Sequence, residues 1–160
     1  WGHLLGHDFP ATLASLDDAM SVDGSHLMRA LVDFWPASGM PSHVAHAERF
    51  RLARLWAGFL ADHPVVVLPT WYQPPFDHHE DLADDRDALR SLYDGVFTPI
   101  VPANLLGLPA TQVPVGLGAD GTPLGVQCLA DRHREDLTLV AAAIVEAAFP
   151  PLTPIDPATG

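Results

Sequence analysis

Between Pro102 and Leu129 the chain reads PANLLGLPATQVPVGLGADGTPLGVQCL, and its glycines and prolines leave the backbone few options. Asn104 can bond to nearby backbone, Gly107 allows a positive φ, and Pro109 discourages helix at Leu108. The spacing therefore predicts a tight turn from Asn104 to Pro109 that feeds a strand. That strand, Thr111 to Val115, carries Pro114, which lacks a ladder donor and places it on a sheet edge or beside a bulge. Asp120-Gly121 suits a reversal, and Leu124 to Leu129 forms the second strand of a hairpin. Gly125 inside that strand has two readings. It leaves space for another backbone or a ligand, or it is a permissive residue in an ordinary hairpin.

A chain of 160 residues that is 48% hydrophobic is long and apolar enough for one domain with a real core. Its formal charge is −12, with 20 acidic against 8 basic residues and no basic cluster, so direct nucleic-acid binding is not expected. The basic residues are all arginines: Arg29, Arg49, Arg51, Arg54, Arg86, Arg90, Arg132 and Arg134. There is no lysine. No apolar run approaches a membrane span. The chain opens at Trp1 without Met or a signal-like lead, the expected look of a partial product rather than a secreted precursor. The single cysteine, Cys128, has no internal disulfide partner, and its place in a strand suits a buried small apolar residue in a reducing cytoplasm.

Helical signals flank the hairpin. Pro10 opens one to about Met20, and Ser25 is placed to cap a second from His26 to about Trp35. The Ser25-His26 pair does not make a nucleophile and base, because side chains at i and i+1 of a helix diverge. Pro36, Gly39 and Pro41 then break the chain. The longest helix is expected over Ser42 to Asp62, with Leu52, Leu55, Trp56, Phe59 and Leu60 as its apolar face. Asp81 to Asp94 reads as another helix, followed by a linker from Gly95 to Ala103. A last helix carries Leu137, Val140, Ala141, Ile144, Val145 and Ala148 at core spacing, with Glu135 and Asp136 at the positive end of its dipole, and stops at Pro150-Pro151. His43 with His46, and His78 with His79 and Glu80, lack the convergent ligand spacing of zinc sites, so no metal and no cofactor are expected.

Val65 to Leu68 is an all-apolar run ending in Pro69-Thr70, the form of a strand covered on both faces in a parallel or mixed sheet. The aromatic loop after it, TWYQPPF from Thr70 to Phe76, stands at the carboxyl end of that strand, where open α/β sheets bind ligands. Trp71 and Tyr72 there either line an acyl or aryl pocket or shield the core.

Together, the Pro102 to Leu129 pattern and the Pro69-Thr70 strand end resemble the C-terminal part of the amidase-signature family, over about Glu48 to Phe149. The resemblance implies an α/β fold: a single partial domain over residues 1–160, with a helical lead-in over 1–40 and part of a mixed sheet flanked by helices over 41–160. It implies hydrolysis of amide carbon-nitrogen bonds by acyl transfer through two serines and a lysine. Those groups belong to the family's N-terminal part, so this chain alone is expected to be inert. The resemblance further implies substrate contacts at Thr70, Trp71, Tyr72, Asn104 and Arg49. Arg49 has a second reading, as one of the surface arginines, with Arg51 and Arg54, that support the helix with Glu48. The expected partners are the N-terminal part of the domain, a small-molecule amide and, for a sheet with an open edge, copies of the chain itself. A non-catalytic binding or interaction module derived from the family is the alternative, and a hydrolase using histidines and a metal is a third reading.

Overall fold

Alternation along three strands divides this chain into layers. In the computed structural model, which describes residues 12–16, 19–34, 39–83 and 85–151, β1 (Val65–Pro69), β2 (Ala110–Leu117) and β3 (Pro123–Ala130) form one antiparallel sheet in the order β1-β3-β2. Opposed residues share a face. Val66, Leu68 and Leu129 therefore point to one side, where they meet Leu60, Leu106 and Leu108. Val65, Val113, Val126 and Cys128 point to the other, where they meet Ala141, Ala142 and Val145.

Among the described residues four long helices accompany the sheet: α1 (Val22–Phe34), α2 (Ser42–Asp62), α3 (Arg86–Leu106) and α4 (Glu135–Ala147). α2 and α3 supply the first layer and α4 the second. The bounds of α2 match the sequence reading. Its apolar face is wider than its contact, since Leu52, Trp56 and Leu60 reach the core while Leu55 and Phe59 stay about half exposed. α1 starts before the expected His26, because Ser21 and not Ser25 is its cap: the Ser21 hydroxyl accepts from Gly24 N at 3.1 Å and its carbonyl from Ser25 N at 2.9 Å. Residues 12–16 are helical, and the expected elements on residues 1–11 and 35–38 lie outside the described residues.

The largest departure is α3. The sequence reading ends a helix at Asp94 and runs a linker to Ala103, yet α3 continues to Leu106 through Pro99 and Pro102. A proline inside a helix removes one donor and frees the carbonyl four residues earlier. For Pro99 that carbonyl belongs to Gly95, and it accepts from Tyr72 N at 3.0 Å, so the lost helical bond is replaced by a tertiary one. Asn104 consequently sits in the last helical turn, its Nδ2 donating to Ile100 O at 3.3 Å, rather than in a tight turn. Gly107 ends the helix in the left-handed region at φ 67°, as its position predicted, with its N–H on Ala103 O at 2.9 Å. At the other end, the carboxylate of Asp85 caps α3 by accepting from Asp87 N at 3.0 Å and Ala88 N at 3.1 Å. The expected early start at Asp81 is instead a single 3-10 turn, Glu80–Leu82.

The hairpin follows the sequence reading closely. Gly121 takes φ 83° in the turn, and the register of β2 on β3 shifts between Pro114 and Gly116, where a bulge was anticipated. β1 differs. It is an edge strand paired only to β3 among the described residues, and Val67 is 53% exposed, so helices lie on both faces without fully covering it. The outer side of α4 is likewise open, with Leu139, Val140 and Ile144 at 60, 60 and 69% exposure. Val140 and Ile144 were expected in the core, but the sheet reaches only the side carrying Ala141, Ala142 and Val145. Thr138 closes that contact, accepting from the Thr111 hydroxyl at 2.8 Å and donating to Glu135 O at 2.9 Å. Among the described residues no helix is long and apolar enough to cross a membrane.

A third apolar cluster, Leu89, Leu92 and Tyr93, packs Phe76 against α3. The Tyr93 hydroxyl donates to Asp81 O at 3.1 Å. Burial, reinforced by the negative charge of Asp81, pushes this phenol up to about 12. The folded chain thus holds the proton to higher pH than the unfolded chain, whose tyrosines titrate near pH 10. The resulting stabilisation, at most about 2.7 kcal/mol for a shift of about two units, is present below pH 10 and disappears as pH rises through about 12. Urea melts of the wild type should show that decline between pH 10 and 12. Tyr93→Phe should lose about 1 kcal/mol at neutral pH and flatten the alkaline slope.

Candidate functional site

Where β1 ends, the chain turns over the edge of the hairpin and leaves a recess of about 280 Å³. Its polar wall is made by Thr70, Gln73 and Gln112, and its apolar wall by Trp71 and Leu124. Gly125 forms part of the floor, with Pro75 and Pro123 at the margins. None of these side chains ionises, so any selectivity arises from shape and neutral hydrogen bonds.

Two contacts hold the floor. Gln112 on β2 lies directly opposite Gln127 on β3, so both project to the face that carries Leu68. The Thr70 hydroxyl donates to Gln112 Oε1 at 2.5 Å, joining the end of β1 to β2 across the intervening strand. Gln127 is buried at 4% exposure, and its Nε2 donates both to Pro69 O at 3.3 Å and to Pro99 O at 3.1 Å. One carboxamide therefore fixes β1 and α3 relative to β3. A Cβ on Gly125 would collide with Gln112 Nε2 and come within 3.2 Å of Val113 O, which makes glycine the residue that lets the Gln112 amide lie over the strand.

The lip of the recess is set by α3. Besides the Tyr72 N–H bond to Gly95 O, Gln73 Nε2 donates to Leu92 O at 3.2 Å. The Gln73 side chain packs so closely on Gly95 that a Cβ there would overlap it. Trp71 stacks on Phe76 with ring centroids 5.8 Å apart and planes 10° from parallel. Phe76 in turn packs on the Leu89, Leu92 and Tyr93 cluster. These contacts give the aromatic loop a defined shape despite its lack of regular structure.

Of the residues singled out in the sequence, Thr70 and Trp71 line the recess. Tyr72 is 60% exposed and turned away from it, held by its backbone. Arg49 and Asn104 stand elsewhere, at the C-terminal end of α3, where Arg49 Nε donates to Leu105 O. Arg51, and not Arg49, pairs with Glu48, at 2.6 Å. Sequence reasoning passed over Gln73, Gln112 and Gln127. Counting back from the Asp120-Gly121 turn does not reveal the last two as a pair, because they come opposite each other only through the longer loop between Leu117 and Pro123 and the register shift between Pro114 and Gly116. Cys128 lies on the opposite face of the sheet, fully buried, and burial raises its thiol above the usual range, away from nucleophilic use. Among the described residues no three His, Cys, Asp or Glu side chains converge as a metal site would require.

The sequence model of a single family, described as Amidase, matches residues 37–139 and so contains the whole recess. The chain belongs to the amidase family. It is 41% identical over 102 residues to an indoleacetamide hydrolase of Bradyrhizobium japonicum, a match covering 64% of this chain and 22% of that protein. It is 44% identical over 120 residues to fatty-acid amide hydrolase 2-A of Danio rerio, covering 75% and 21% respectively. The solved structure of 6-aminohexanoate cyclic dimer hydrolase with substrate aligns at a TM-score of 0.55 and 29% identity, over 82% of this chain and 29% of that one. The helices and small antiparallel sheet thus form an α/β unit similar to part of an amidase structure. This amidase segment spans about a fifth of the length of those curated relatives.

Replacing Gln127 by Leu leaves Pro69 O without its side-chain donor and Pro99 O without one of its partners. Gln127→Leu should destabilise the protein by about 1–3 kcal/mol in urea titration and weaken amide-exchange protection at both the end of β1 and the middle of α3.

Proposed function

We propose that this chain is the C-terminal portion of an amidase that hydrolyses carbon-nitrogen amide bonds by acyl transfer. The family match over residues 37–139 carries the reading, and the uncharged recess at the end of β1 supports it. In that chemistry a serine oxygen attacks the amide carbon, the carbon-nitrogen bond breaks as the amine takes a proton, and water then cleaves the acyl ester. A lysine working through a second serine moves the proton, and backbone N–H groups stabilise the oxyanion. No residue of this sequence is lysine, so this reading assigns the catalytic groups to polypeptide outside these 160 residues.

The part played here is that of a cleft wall. Thr70 and Trp71 face a small-molecule amide, Tyr72 stands outside the recess, and Asn104 and Arg49 support the end of α3, Arg49 through its bond to Leu105 O. Intact mass and N-terminal sequencing of the natural product should give a longer polypeptide that contains lysine and hydrolyses aryl amides. The 160-residue chain alone should give no hydrolysis above buffer. A natural product beginning near Trp1 would instead make the chain a non-catalytic binding module, and hydrolysis by the short chain would overturn the assignment.

The remainder of the amidase domain is the proposed partner of the open surfaces, namely the free edge of β1 with Val67 and the outer side of α4 with Leu139, Val140 and Ile144. Without that partner the chain should associate with itself. Sedimentation of the isolated chain should show concentration-dependent oligomers that bind an apolar dye. A monodisperse monomer with no dye binding is the contrary result.

A further inference from the structure

We propose that Gln112 determines substrate specificity in the recess, by donating a hydrogen bond from its side-chain amide to the carbonyl oxygen of an uncharged acyl group. The proposal rests on the amide-hydrolase reading and goes further by naming the group that selects the substrate. A carboxamide has one accepting and one donating end. In Gln112 the accepting end is taken, since Oε1 receives the Thr70 hydroxyl at 2.5 Å. Nε2 makes no hydrogen bond among the described residues. It lies over Gly125 in the space a side chain would fill, at the wall of the recess. In this arrangement Nε2 is the end that faces a ligand, and Gly125 gives that end its room.

The surroundings define the ligand. A cavity of about 280 Å³ takes one acyl or aryl group, at the small end of ligand sites, which start near about 300 Å³. Trp71 and Leu124 offer it apolar surface. With no ionisable lining residue, a carboxylate that gives up part of its hydration in the recess finds no cation, and an ammonium finds no anion. A neutral carbonyl compound, by contrast, gains the Gln112 donor. The site should therefore distinguish an amide from the acid it yields, which favours release of the acid.

The test uses the polypeptide that carries this chain, with benzamide and benzoate as probes in calorimetric titration and an aryl amide as substrate. Wild type should bind benzamide at least tenfold more tightly than benzoate. Gln112→Leu should weaken benzamide about tenfold and raise KM more than it lowers kcat. Gly125→Ala, which displaces Nε2 without removing it, should reproduce that loss, and Thr70→Val should produce a smaller one. Each variant is checked by urea midpoint. Gln112 is exposed at the recess and Gln127 holds the core contact, so Gln112→Leu loses the Thr70 bond but should keep a single cooperative urea transition. Equal binding of benzoate and benzamide, binding of neither, or unchanged benzamide affinity in folded Gln112→Leu each overturns the proposal. Loss of the underlying reading has a separate signature: no amide is hydrolysed by the wild type, whatever the titrations give.

Discussion

A single buried carboxamide, that of Gln127, holds the two layers of this protein in register. It is almost wholly removed from solvent, and its Nε2 joins the last carbonyl of β1 to the carbonyl of Pro99 in the middle of α3. A polar group in that position is stabilising only when satisfied, because a buried donor without partners costs more than the bond is worth. Its satisfaction requires β1, β3 and α3 to be present together at the right spacing. Apolar packing of Leu129 on Leu60, Leu106 and Leu108 supplies most of the attraction between the layers, but such contacts tolerate sliding. The two hydrogen bonds of Gln127 do not.

From that fixed point the recess follows in order. β1 stops at Pro69, next to the Gln127 donor, and Thr70 emerges where it can reach Gln112 on the far strand. The loop then meets α3 at a place where the helix has a carbonyl to spare. Pro99 creates that carbonyl on Gly95, and Tyr72 N–H takes it. Trp71, between these two attachments, stacks on Phe76 and forms the apolar wall. An irregular segment is thereby positioned by a defect in a regular one.

Local steric rules made much of the fold legible in the sequence. Gly107, Gly121 and Pro114 act through their own backbone requirements, and each was found doing what those requirements dictate. The bounds of α2 were readable because Pro41 and Pro64 bracket an unbroken helical pattern. α3 was misread for the opposite reason: Pro99 and Pro102 break isolated helices, whereas here Tyr72 compensates the carbonyl Pro99 frees, from a loop distant in sequence. The apolar stripe of α4 showed that the helix packs on something without showing which part of the stripe the sheet would reach. At the site, Thr70 and Trp71 were visible from their place at a strand end. Their partner Gln112 is 42 positions from Thr70, and only strand order and register bring the two together.

The recess is bounded by two glycine-glutamine pairs, Gly125 beneath Gln112 and Gly95 beneath Gln73. In each pair the glutamine fills the volume that a side chain on the glycine would need. The two members are therefore constrained reciprocally: a larger residue at 125 or 95 requires a smaller or redirected one at 112 or 73. Exchanges of volume within a pair would move the boundary of the cavity while leaving the backbone of the sheet and of α3 where they are. The shape of the cavity can in this way drift through paired changes on a fixed frame, a gain of volume at the glycine being met by a loss or a turn of the glutamine.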